Sequence, residues 1–401
     1  MNQIKTEFSK QKYNLLFIGI SGYEYPHVRV RCYRFAEQLK KHGFNTSVLS
    51  FKDHLVPEVT EPEMYSRGDR FRLSVVFKSI KRFFSQYRNC ILYLQKLHYH
   101  AAGALLLARY FNWPYIVDYD DYEIGQDPHG TGLFCGFNRD YINTFFYGAR
   151  TDRDITEKAA RNALCCIAAS HSLQAFLKNS NPRTFLIPTG VDTTVFHPGA
   201  GKREEIPFTF LWTGLVWGES IAENVRYGIE VFSEVHKQNP LTHLKIVGGG
   251  EHMAGVETFA QKTLPTGSYS FISWMPPDAM PEIMASCHVG LLPMVSDSLW
   301  NRSKSPTKLF EYFASGLPVI ATSNNEARYV VEHGKNGYLA DDQRNYIEAM
   351  LCLSKNPEIY RSMQHLARKT AENNYSMQVI GKNLSDILNA SLPSVPERFR
   401  Q

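Results

Sequence analysis

The sequence predicts an α/β protein built from two Rossmann-like, doubly wound domains that face each other across a cleft. Three observations carry this. At 401 residues the chain is too long for one ordinary α/β domain and fits two. Short apolar strand-like runs alternate with helical ones in the first half, and the same alternation restarts near residue 207. Between the halves, residues 187–201 hold Pro188, Gly190, Pro198, Gly199 and Gly201, a concentration of turn-formers followed by the charged run 202–205. The domains are therefore drawn as 1–200 and 201–401, with a last helix at about 375–391 placed to pack back on the first.

Element by element, 13–20 reads as a buried first strand and 28–42 as a helix with Val28, Cys32, Phe35, Ala36 and Leu39 on its inner face; Gly43 stops it. Residues 45–50, 90–94, 115–119, 164–168 and 184–187 follow as strands with helical stretches between them. The second half reads as strand 208–212, helix 222–236, strands 243–247 and 269–273, helix 278–285, strand 288–292, helix 306–315, strand 318–321 and a helical tail. In two such sheets the carboxyl ends of the strands surround one cleft, where ligands of open α/β sheets bind.

Composition narrows the class. An apolar fraction of 43% with 21% charged residues supplies two cores and excludes a disordered chain. No run of about 18 apolar residues occurs and residues 1–12 are polar, so neither a membrane span nor a signal peptide is expected and the cytoplasm is the expected location. Seven cysteines without Cys-x-x-Cys spacing argue against a zinc site and a disulfide framework. Residues 1–200 carry 25 Lys+Arg against 18 Asp+Glu, and the remainder 19 against 21. The basic first half suits a phosphate-bearing substrate or an acidic membrane surface rather than nucleic acid, and equally a merely solvated face. Residues 70–88 form a basic amphipathic stripe that fits either peripheral membrane contact or packing on a sheet.

The chemistry concentrates in Ser305-Pro306-Thr307-Lys308-Leu309-Phe310-Glu311-Tyr312-Phe313-Ala314-Ser315-Gly316-Leu317-Pro318-Val319. Ser305 is a natural N-cap and Pro306 a natural first helical residue, leaving the amides of Thr307 and Lys308 at an exposed helix end that can hold phosphate. Lys304, Lys308, Glu311 and Ser315 share the polar face, and Leu309, Phe310, Phe313 and Ala314 the buried one. A carboxylate one turn beyond a phosphate site can accept from two vicinal hydroxyls, which makes Glu311 a candidate for a ribose.

This run resembles the donor-binding helix and following strand of glycosyltransferase family 4, Pro-x-Lys-x-x-Glu-x-x-Ala-x-Gly-x-Pro-Val. The resemblance extends to Pro188-Thr189-Gly190-Val191-Asp192, Phe196-His197-Pro198, Gly248-Gly249-Gly250 and Gly334-x-x-Gly337, and more weakly over nearly the whole chain. It implies the GT-B fold, transfer of a sugar from a nucleotide diphosphosugar to a hydroxyl of a carbohydrate or lipid-linked acceptor, retention at the anomeric carbon, and no cofactor or protein-bound metal. It assigns Glu311 to the donor ribose, Lys308 to the phosphates and the loop 214–218, with Gly214 and Gly218, to a close approach to the diphosphate. Arg302, Lys304 and Thr307 join these as donor contacts. Gly19 and Gly22, at the end of the first strand, are candidates for backbone approach to an anion or sugar, and Arg29 and Arg31 for a donor phosphate, an acceptor or solvent.

Three departures from the family pattern stand out: Ser303 where many members carry a second glutamate, Thr213 where many carry an arginine, and Tyr115-Ile116-Val117-Asp118-Tyr119-Asp120-Asp121 where the family often has a catalytic histidine. Asp120 and Asp121 are the catalytic candidates, as acceptor-positioning carboxylates; capping or a divalent cation are the other uses of an Asp-x-Asp pattern. His98 and His100, in a loop, are weaker candidates. A non-catalytic sugar-nucleotide-binding partner and a nucleotide-sugar epimerase fit the same pattern.

Overall fold

The computed structural model describes residues 14–19, 22–23, 25–49, 90–97, 99–122, 152–296 and 298–392. The basic stripe 70–88, residue 98 and the side chain of His100 lie outside the described residues.

Among the described residues, two six-stranded, wholly parallel sheets organise the chain. The first contains β1 (Asn14–Ile18), β2 (Asn45–Leu49), β3 (Cys90–Gln95), β4 (Tyr115–Tyr119), β5 (Cys165–Ala168) and β6 (Thr184–Leu186), in the order β2-β1-β3-β4-β5-β6. The second contains β7 (Phe208–Leu215), β8 (Thr242–Gly249), β9 (Tyr269–Ile272), β10 (Val289–Leu292), β11 (Val319–Ala321) and β12 (Gly337–Leu339), in the order β12-β11-β10-β7-β8-β9. Counted within its own domain, the second order is that of a dinucleotide-binding sheet, with its switch point between β7 and β10.

The strands are apolar because both faces are covered. Leu15 and Phe17 enter one core and Leu16 and Ile18 the other, as the two-residue strand period requires. In the second sheet Phe210 faces one core and Leu211 the opposite one. The strand and helix positions expected from the sequence recur with boundary shifts of a few residues, except that β12 falls in the Gly334-x-x-Gly337 stretch, too short and glycine-rich to read as a strand.

The helix after β1 runs through Pro26–Val28, a π-helical turn Arg29–Arg34, and Phe35–Lys41. Val28, Cys32, Phe35 and Leu39 are fully buried, and Gly43, at φ 79°, ends it. The wide turn lies where Arg29 and Arg31 leave the helix, and such turns recur at functional sites.

The chain crosses between domains twice at one place. Val191 pairs with Ser376: the Val191 amide donates to the Tyr375 carbonyl (2.9 Å) and the Met377 amide to the Val191 carbonyl (2.9 Å). After the second crossing, helix Met377–Ser391 buries Met377, Ile380, Leu384 and Leu388 among Leu15, Phe17, Phe35 and Leu39 of the first domain.

Candidate functional site

At the switch point of the second sheet, β7 ends in Thr213, Gly214 and Leu215 and β8 in Val247, Gly248 and Gly249. A Cβ on Gly248 would lie 1.7 Å from the Gly214 carbonyl oxygen, so the strand ends approach as closely as glycine alone permits. Above them lies helix Thr307–Ala314. Leu309, Phe310 and Phe313 are wholly buried, and the Tyr312 hydroxyl accepts from the Thr213 amide (3.0 Å). That anchoring turns Lys308 and Glu311 toward the cleft.

The Lys308 ammonium donates to the Thr213 carbonyl and sits 4.6 Å from the centre of the Trp212 ring. Burial, with Lys304 close by, lowers its pKa to about 7, and Glu311 opposes the shift. Glu311 faces Arg29 of the first domain, with Nη2 and Oε1 3.8 Å apart and the side chains 11% and 13% exposed. Burial raises the Glu311 carboxyl, and Arg29 followed by Lys308 pulls it back toward ionisation.

These groups line one interdomain cavity of about 310 Å³. Lys304, Thr307, Lys308, Glu311 and Gly214 reach it from the second domain, and Arg29 and Asp121 from the first. Trp274 with Met275, Met280, Met284 and Met294 form an apolar wall that the sequence did not disclose, because those residues are scattered over several elements.

The remaining candidates go elsewhere. Arg302 is exposed and lines a separate cavity of about 510 Å³ with His171, Ser172 and Arg328. Gly218 is the N-cap of helix Glu219–Gln238, and a Cβ there would meet nothing within 4 Å. A Cβ on Gly19 would stand 2.8 Å from Val28 Cγ1, so this glycine serves the packing of helix on strand. Gly22 is buried and its carbonyl accepts from the Tyr25 amide (3.2 Å). The expected Ser305 cap is not made: the helix begins at Thr307 with Pro306 as its cap residue, and the Ser305 hydroxyl accepts instead from the Thr189 amide (3.2 Å) at the interdomain crossing.

The aspartates divide by partner. Asp118 is wholly buried against Arg31, which donates to it from Nε (2.9 Å) and Nη2 (2.6 Å), while the Tyr93 hydroxyl donates at 2.6 Å. Arg31 is thereby a structural cation; its Nη1 ties the Ile187 carbonyl (2.8 Å). Asp120 is buried beside Lys96 (3.3 Å), whereas Asp121, 27% exposed and 3.5 Å from the same ammonium, reaches the cavity. Ser303 is fully buried at the domain contact: its carbonyl accepts from the Ser170 hydroxyl (2.7 Å) and its hydroxyl meets that of Ser172 (3.1 Å). Beside it, Glu326 accepts from the His171 amide (3.0 Å). Among the described residues no three His, Cys, Asp or Glu side chains gather as a metal cluster.

Residues 207–356, which include the glycine floor, Lys308 and Glu311, match the family described as glycosyl transferases group 1. Residues 207–356 are thus similar to a group 1 glycosyltransferase domain. Among curated proteins the chain is similar to a glycosyltransferase named for colanic acid biosynthesis in Escherichia coli, 22% identical over 204 residues that make up 50% of each protein. It is also similar to an uncharacterized glycosyltransferase of Haemophilus influenzae, 29% identical over 40% of this chain and 44% of that one. The chain thus spans about half the length of the curated relatives it matches.

Among solved structures, sucrose-phosphate synthase of Thermosynechococcus elongatus superposes with a TM-score of 0.67 at 16% identity, covering 94% of this chain and 99% of that one. Anabaena HepE, in complex with UDP and glucose, gives 0.65 at 13% identity over 94% and 100%. The second domain and its amino-terminal companion together form the GT-B fold.

Proposed function

We propose that this chain transfers a sugar from a nucleotide diphosphosugar to a hydroxyl of a carbohydrate or lipid-linked acceptor, with the donor held mainly by the second domain. The observation that carries the reading is the convergence of the Thr307–Ala314 helix start, Lys308 and Glu311 over the Gly214–Gly248 floor in one interdomain cavity. The diphosphate takes the first-turn amides of Thr307 and Lys308 with the Lys308 and Lys304 cations, and the ribose takes Glu311. Trp274 and the methionine wall suit a planar base. Because the HepE structure holds UDP, that nucleotide is the first to try.

In the transfer, the protein's main task is to stabilise charge developing on the leaving diphosphate, which the helix end and cations do without a cofactor or metal. The acceptor oxygen bonds to the anomeric carbon on the face from which the C–O bond to the diphosphate breaks, its proton passing to the leaving phosphate, so the configuration is retained, and Asp121 orients the acceptor hydroxyl. No described helix is long and apolar enough to cross a membrane; we place the protein in the cytoplasm, with residues 70–88 as its contact to an anionic membrane face.

The test is calorimetric titration of UDP, GDP and dTDP. Charge-assisted hydrogen bonds contribute about 1.5–3 kcal/mol, so Glu311→Ala weakens the preferred nucleotide by roughly 10- to 150-fold. Unchanged affinity in a folded Glu311→Ala protein would mean the donor does not lie here.

A further inference from the structure

We propose that Arg29 of the first domain is a positioning residue for the donor, holding Glu311 of the second domain as a carboxylate across the cleft. The inference rests on the donor reading above. Its geometry is independent of any ligand: Nη2 of Arg29 stands 3.8 Å from Oε1 of Glu311, both side chains are nearly buried, and both border the same cavity.

A carboxyl buried to this degree favours its neutral form unless a cation stands by. Three cations compete for that role. Lys308, one turn away on the same helix, is committed to the Thr213 carbonyl and the Trp212 ring, and is itself close to losing its proton near neutrality. Lys304 stands close enough to Lys308 to lower its pKa, whereas Arg29 leads Lys308 in holding Glu311 ionised. Arg29 carries a guanidinium, which stays protonated throughout the working range. Its own surroundings are Tyr23 and Arg34 on the first domain and Asp278 on the second, while Tyr312 lies on the Glu311 helix. At 3.8 Å the pair is a charge contact rather than a hydrogen bond, so the carboxylate keeps acceptor positions for the ribose hydroxyls.

A protonated Glu311 would present one hydroxyl donor and fewer acceptors, replacing charge-assisted bonds by neutral ones. The first domain therefore prepares the second for its nucleotide before the nucleotide arrives. A donor site read from residues 207–356 alone lacks this group.

The experiment has two arms. In the first, 13C NMR of Glu-labelled protein follows the carboxyl titrations, with Glu311→Gln identifying the Glu311 signal. Arg29→Gln moves that titration to higher pH, and Arg29→Lys, which restores a cation, moves it most of the way back. In the second, calorimetry compares nucleoside diphosphate affinity at pH 6 and pH 8. The parent changes little through Glu311, whereas Arg29→Gln binds roughly five- to tenfold more weakly at pH 6 than at pH 8 after correction for the parent profile.

A Glu311 titration that is the same in the parent and in Arg29→Gln overturns the proposal, whatever the nucleotide does. A shifted titration with Glu311→Ala binding nucleotide as the parent does leaves Arg29 as the keeper of Glu311's charge and removes the donor reading. Circular dichroism and melting of each variant exclude a general loss of fold as the source of either result.

Discussion

A lysine with a pKa near 7 makes donor binding pH-dependent at the level of one residue. Because the diphosphate favours the charged ammonium, binding above pH 7 takes up a proton, and affinity falls by up to about tenfold per unit as the pH rises. Calorimetry in buffers of different ionisation heat reads the proton directly; uptake that is zero at pH 8 removes Lys308 from the phosphates. The stability effect has the opposite sense. The folded pKa lies below the unfolded one, so the cost of burying the cation is complete below pH 7 and is relieved between pH 7 and about 10.4. Lys308→Met accordingly raises the melting temperature at pH 7 by roughly 2–4 °C per kcal/mol recovered while diphosphate affinity drops. The aspartates separate by the same reasoning. Asp118→Asn leaves Arg31 buried without its counterion and costs about 3–5 kcal/mol in denaturant melts. Asp121→Asn lowers turnover at unchanged donor affinity and unchanged melting temperature. Sequence reasoning places Lys308 and Glu311 because their helix carries its own signal in the spacing of Pro306, Lys308, Glu311 and Gly316. It does not separate Asp120 from Asp121, since the choice depends on Lys96, which comes from another element.

Elements show where local pattern is enough and where it is not. Strands buried on both faces announce themselves as apolar runs, and β1, β3, β4 and β7 are legible for that reason. Gly43 marks its helix end because a left-handed residue is needed there. The start of helix Thr307–Ala314 lies one position later than local pattern suggests, because Ser305 has a better partner at the interdomain crossing than in its own helix. The glycine floor is a further test of element geometry. At Gly248 an added methyl meets the Gly214 carbonyl at 1.7 Å with φ at 153°, so Gly248→Ala separates β7 from β8 and lowers the melting temperature. At Gly214, with φ at 155°, the atoms met are side-chain ones, the Lys308 ammonium at 2.8 Å and the Trp212 ring at 3.0 Å. Gly214→Ala is therefore also strained, but less than Gly248→Ala, and it displaces Lys308, so the two variants should rank oppositely in thermal melts and nucleotide titrations. An equal loss of stability in both would show that the strand ends are not tightly joined.

At the scale of the whole molecule, the domains are joined by the Val191–Ser376 crossing, the Ser170 and Ser172 contacts to Ser303, and the His171 contact to Glu326. Replacing Ser303 by Ala removes the hydroxyl contact to Ser172 at the interface and leaves both cores untouched. It is expected to broaden the interdomain distance distribution in scattering or double-label measurements with little change in melting. None of these pairings is legible in the sequence, since each joins side chains from different domains. The helix Met377–Ser391 has a consequence in time. It supplies Ile380, Leu384 and Leu388 to a core whose other members include Leu15 and Phe17, some 360 residues earlier in the sequence. A ribosome that has released the chain as far as residue 375 has delivered the twelve described strands, yet the first domain still shows an open apolar face. The later-made domain is thus the one able to close its core earlier, and β1 waits for some 360 further residues to be made before this neighbour arrives.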